Sequence, residues 1–177
     1  MSGHSKWSTI KRKKAITDAK KGATFSKMSK FIQVAARNGA DPDANAPLRL
    51  AVEKAKEARM PKDNIEKAIL KGSGQLEGER LEEVVYEGFG PNGEAFMLKI
   101  VTDNTNRTVA ELRNMFNRVG GSLGNSGSTS YIFGDDPENP SYVIEVSDES
   151  LVERLSNFVE DLEDHEDVQD VYYNFRV

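Results

Sequence analysis

Between Met1 and Lys30 the chain carries nine Lys or Arg residues and a single acid, Asp18. A segment this cationic repels itself and gains little from burial, so its natural counterpart is a polyanion. The bias extends further. Met1 to Leu76 holds 17 basic and 7 acidic residues, a net +10, whereas Glu77 to Val177 holds 7 and 22, a net −15. The overall charge of −5 therefore averages two opposite halves. This split predicts a basic helical domain over 1–76 and an acidic α+β domain over 77–177.

What the chain lacks narrows the function. It has no cysteine, which removes disulfides, thiolate catalysis and Cys-type zinc sites. No apolar run approaches the roughly 18 residues of a membrane span. The basic start lacks the apolar core of a secretory signal. The expectation is a soluble, cytoplasmic protein with no membrane partner.

Met1 to Trp7 shows no periodicity and reads as an arm. A thin apolar stripe (Ile10, Ala15, Ile16, Ala19) predicts a basic helix up to Lys21, with Gly22 as a break. Phe25, Met28, Ile32, Ala35 and Ala36 fall at helical spacing and predict a second helix over about 24–38, stopped by Asn38-Gly39. Asn45 is a candidate cap for a third helix carrying Leu48, Ala51, Val52 and Ala55. Met60-Pro61 ends it, and a fourth runs to Lys71 with Ile65, Ala68 and Ile69 inward. The polar, Gly-rich run Gly72 to Glu79 is the linker.

The period then changes to two. Val84–Phe89 and Glu94–Asp103 predict strands joined by the turn Gly90-Pro91-Asn92-Gly93. A helix follows, with Thr108 and Glu111 as a capping box and Val109, Leu112, Phe116 and Val119 inward. Ser128–Phe133 and Tyr142–Val146 read as strands. Helix Glu149–Leu162 and strand Val168–Phe175 close the chain. From Glu94 the order is β-α-β-β-α-β, the ferredoxin-like pattern, with Val84–Phe89 as an extra strand.

Several motifs resemble the YebC family. They are Gly3-His4-Ser5-Lys6-Trp7, Asp18-Ala19-Lys20-Lys21-Gly22, Met60-Pro61-Lys62-Asp63-Asn64-Ile65, Tyr86-Glu87-Gly88-Phe89-Gly90-Pro91 and Thr102-Asp103-Asn104-Thr105-Asn106-Arg107-Thr108. Gly120-Gly121-Ser122-Leu123-Gly124 and Asp167-Val168-Gln169-Asp170-Val171-Tyr172 continue the match. The resemblance implies a protein of bacterial or organellar gene expression, described in the family as transcriptional regulator or translational activator. It also implies a third, inserted domain, which here is reduced to a loop near 134–141.

Lys6, Lys11, Arg12, Lys13, Lys14, Lys20 and Lys21 are the first candidates for phosphate contact, with Lys27 and Lys30 on the next helix. Lysines around a thin helix suit backbone contact rather than base reading, and each neutralised phosphate releases counterions. Trp7 either stacks on a base or staples the first helix. Asn104, Asn106, Arg107 and Thr108 either cap a helix or bind an anion there, with Arg107 adding charge. Gly120 to Gly127 lacks a phosphate-loop ending and reads as a mobile connection; a loop approaching RNA is the alternative. The acidic run Glu160–Asp170 is a solvated face or a dock for a basic protein. His4 lacks spaced partners and His165 reads as exposed within an acidic run, so no metal site is expected.

No nucleophile–base pair or phosphate loop is visible, so the expectation is a non-enzymatic factor without cofactor or small-molecule substrate. Nucleic acid is the expected partner, ribosomal RNA or the ribosome ahead of duplex DNA, because no helix-turn-helix with base-reading residues at its start stands out. A monomer is expected.

Overall fold

The computed structural model describes residues 18–177. They divide into two compact units. One continues to Glu83 and takes in Val101–Asn104; the other comprises Val84–Ile100 and Thr105–Val177.

The first unit holds α1 (Asp18–Ala36), α2 (Ala46–Glu57) and α3 (Lys62–Gly72). Gly22 does not break α1, contrary to expectation. A Cβ there would meet nothing within 4 Å, so the residue costs only helix propensity, about 1 kcal/mol. Tertiary packing of the following turns outweighs that cost. The buried Asn45 ties α1 to α2. Its Oδ1 accepts from the Leu48 amide at 3.1 Å, while its Nδ2 donates to the Ala35 and Gly39 carbonyls at 2.8 and 2.9 Å. α2 closes with the Arg59 amide on the Lys56 carbonyl and the Met60 amide on the Ala55 carbonyl, both 2.9 Å. This is a Schellman closure, with Arg59 at φ 61° where glycine is usual. Ile32, Ala36, Leu48, Ala51, Ala55 and Ala68 form a tight, small-residue core. At Gly72 a Cβ would lie 2.2 Å from the Gln33 carbonyl oxygen, so α3 meets α1 backbone to backbone.

The second part of the chain holds β1 (Glu82–Phe89), β2 (Ala95–Thr102), α4 (Thr105–Val119), β3 (Ser122–Leu123), α5 (Ser130–Phe133), β4 (Ile144–Glu145), α6 (Glu149–Asp164), β5 (Val168–Tyr173) and β6 (Phe175–Arg176). The main sheet runs β3-β1-β2-β5, and β4 pairs in parallel with β6. Phe96, Leu98 and Ile100 on one face of β2 pack with Leu112 and Phe116 of α4 and Leu155, Phe158 and Leu162 of α6. Phe96 meets Phe116 and Phe158 edge-on, at centroid distances of 5.7 and 5.2 Å. Ala95 and Tyr172 pack with Ile132 and Phe133 in a separate small cluster.

The α+β class holds: helices first, then an antiparallel sheet with helices. Two segments depart from the expected strand run. Ser128–Phe133 is a turn leading into the short α5 rather than a strand. Tyr142–Val146 contributes only the two-residue β4. Between them, loop 134–141 is closed at its base. The Ser141 amide donates to the Ile132 carbonyl at 2.7 Å, and its hydroxyl to the Tyr131 carbonyl at 3.1 Å. A hydrogen bond between the Tyr131 and Tyr142 side chains raises the Tyr142 phenol above its ordinary pKa, with burial adding in the same direction.

Candidate nucleic-acid interface

The sequence candidates on α1 fall in different environments. Lys20 and Lys21 are exposed, Lys27 is half-buried and Lys30 is buried. Lys30 therefore does not present its charge on the surface as expected. Lys6, Trp7, Lys11, Arg12, Lys13 and Lys14 lie outside the described residues. The structure adds cations that the reading of the first thirty residues left out. Arg49, Lys54 and Lys56 on α2, Arg59 in the turn, and Lys62 and Lys67 on α3 are all exposed. Lys54 covers the Phe31 ring at 5.2 Å, and Lys62 pairs with Glu66 at 3.6 Å. Helical spacing held the signal: Leu48, Ala51, Val52 and Ala55 turn inward, leaving the intervening basic residues outward. A four-residue connection, 58–61, joins α2 to α3, and Asn64 is exposed in the first turn of α3.

The polar cluster around Arg107 is bound within the protein. α4 begins at Thr105, so Thr108 is inside the helix and does not cap it. Its hydroxyl donates to the Asp167 carboxylate at 2.7 Å, and Arg107 donates to the same oxygen at 3.0 Å. Asp167 is fully buried. Its amide donates to Nδ1 of His165 at 3.1 Å, which leaves the neutral ring's proton on Nε2, 2.8 Å from Glu111. His165, expected to be exposed, is thus largely enclosed. Glu111, His165 and Asp167 bring ligand-type atoms within 4.8 Å of one another. Each already has a protein partner, and the arrangement acts as a clasp from the start of α6–β5 connection onto α4. A phosphate approaching Arg107 competes with Asp167.

The Gly-rich loop is also held. The buried Glu87 carboxylate accepts from the Gly127 amide, the Thr129 amide at 3.1 Å and the Thr129 hydroxyl at 2.5 Å. The Gly124 amide donates to the Glu87 carbonyl at 2.8 Å. A loop read as a mobile connection is pinned at its middle and its far end by one strand residue. The Tyr86-Glu87-Gly88 motif carried that information, but its partner lies forty residues away.

Two family models match: the TACO1/YebC protein N-terminal domain over residues 5–75, and the TACO1/YebC second and third domain over 81–136. The chain belongs to the TACO1/YebC family. A probable transcriptional regulatory protein of Dictyoglomus thermophilum is 57% identical over 136 residues, covering 76% of this chain and 55% of the relative. One from Solibacter usitatus is 55% identical over 133 residues, covering 75% and 54%. The chain thus spans about half the length of these relatives. The crystal structure of a conserved hypothetical protein from Aquifex aeolicus superposes with a TM-score of 0.83 at 35% identity, covering 97% of both chains. The described fold is therefore the one this TACO1/YebC member shares with that protein.

Proposed function

We propose that this chain is a nucleic-acid-binding regulator of gene expression that works without catalysis. Its basic helical unit contacts the phosphate backbone, and its preferred target is RNA, on the ribosome, in support of translation. The observation that carries this reading is the exposure of cationic side chains on all three helices of the unit: Lys20 and Lys21 on α1, Lys56 on α2, Lys67 on α3. Such a surface binds phosphates through counterion release, with little sequence dependence. Relatives named as probable transcriptional regulatory proteins support the broader regulatory role.

Duplex DNA is the second reading. The short connection between α2 and α3, with Asn64 exposed near the start of α3, has the chain order of a helix-turn-helix reader. A salt titration of binding separates the two readings, run in parallel on duplex DNA, ribosomal RNA and whole ribosomes. The RNA reading expects ribosomes or RNA to bind best, with affinity lost when Lys20 and Lys21 become Glu. Preference for one duplex sequence, abolished by Asn64→Ala, overturns it in favour of the DNA reading.

A further inference from the structure

The acidic unit contains few arginines, and they are used unequally. Arg107 pairs with Asp167, and Arg176 pairs with Glu145. Arg118 on α4 and Arg154 on α6 make no ion pair or hydrogen bond among the described residues. Both are exposed, yet they line one groove of about 220 Å³ between the two helices. Met115, Val119 and the buried Phe158 also line it. Asn157 and Asp161 complete it from α6. The spacing follows from the helix: 154, 157, 158 and 161 share one face of α6, as 115, 118 and 119 share one face of α4.

We infer that this groove binds one ribonucleotide unit of an RNA strand. The two guanidiniums, brought into one groove, supply forked donors suited to a phosphate. Asp161 restricts what the ligand is. A carboxylate only accepts hydrogen bonds and repels a bare anion, so it favours a ligand that carries a hydrogen-bond donor beside its phosphate. Within a polymer the sugar supplies such a donor in ribose, through its 2′-hydroxyl, and none in deoxyribose. The apolar side chains offer a sequence-tolerant surface for a base or sugar face, and the Asn157 amide both donates and accepts. The groove is smaller than the roughly 300–1,000 Å³ of a small-molecule pocket, which suits one unit of a longer chain. This inference rests on the RNA reading above for its polymer and adds a second, sugar-selective contact to it.

The test uses the full chain and three probes: a short single-stranded RNA, DNA of the same sequence, and free adenosine 5′-monophosphate. Binding is measured by fluorescence anisotropy and by amide chemical-shift mapping. RNA should shift amides of α4 and α6 around Arg118 and Arg154. The Arg118→Gln, Arg154→Gln double variant should lower RNA affinity about tenfold and flatten the salt slope by about 0.7, one phosphate's worth for a single strand. Asp161→Asn should bring DNA binding closer to RNA binding. Circular dichroism checks that these surface substitutions leave the fold intact. Unchanged RNA affinity in the double variant, with Lys20→Glu, Lys21→Glu still abolishing it, overturns the groove and leaves the wider function standing. Loss of RNA binding by neither set overturns both. Monophosphate binding at the groove as tight as that of RNA overturns the polymer and makes it a free-nucleotide site. Equal loss of RNA and DNA in Asp161→Asn overturns the sugar selectivity.

Discussion

The helical unit packs with alanine and glycine where the α+β unit packs with phenylalanine. Ala36, Ala51, Ala55 and Ala68 bring α1, α2 and α3 into close approach, and at Gly72 no side chain fits at all. In the α+β unit, Phe96, Phe116, Phe158 and Phe175 meet in a connected aromatic cluster. The polar interiors differ as well. Among the described residues the helices bury Lys30, Gln33 and the capping Asn45 but no carboxylate, whereas buried carboxylates, Glu87 and Asp167, fasten loops and helix to the sheet of the α+β unit. Small residues give a compact platform whose surface is left to lysine and arginine. Aromatics and internal carboxylates give a unit whose loops are individually latched.

The sharpest way to break this comparison is Phe96→Ala. Phe96 is fully buried against four aromatic rings, so its loss should cost about 3–5 kcal/mol in denaturant titration. A cost under about 1 kcal/mol would mean the aromatic cluster is not the unit's main support. Asp167→Ala removes the shared acceptor of Arg107 and Thr108 and should cost about 2–3 kcal/mol, less than a fully enclosed pair because Arg107 keeps access to water. Hydrogen exchange should rise first in the opening turn of α4; uniform exchange across the unit would contradict a local latch. Gly72→Ala should destabilise the helices by about 1–3 kcal/mol, since the new Cβ meets backbone that cannot step aside. Amide spectra of α4 and α6 should stay unchanged, and a shift there would count against two separately packed units. The smallest effect is a gain. Arg59→Gly relieves a left-handed residue and should stabilise the protein by about 0.5 kcal/mol after glycine's own entropic cost, read as a raised thermal midpoint.

Elements governed by local period were legible in the sequence. Leu48–Ala55, Leu112–Phe116 and Leu151–Leu162 each place their apolar residues inward as spaced. Asn45 was legible as a cap because capping is a three-residue matter. What escaped was set at a distance. Ser128–Phe133 has strand-forming residues, but Glu87 takes the Thr129 amide and hydroxyl and turns the chain into α5. Thr108 fits a capping box, yet its hydroxyl is held by Asp167, 59 residues on. His165 looked solvated amid acids because nothing local announced Glu111 beneath it. For the candidate site, the exposed lysines of α1 were readable from composition. The basic side chains of α2 and α3 needed the inward face to be fixed first. The Arg118–Arg154 groove needed two helices to be brought side by side, which no single stretch of sequence states.

Loop 134–141 leaves and rejoins the fold at nearly one point, held there by Ser141 on Ile132. Closing a longer excursion from such a staple costs only about 0.6 kcal/mol for each doubling of its length. The scaffold is therefore indifferent to what hangs from this position. A whole guest module could be grafted there, or an existing one excised, without the core registering the change.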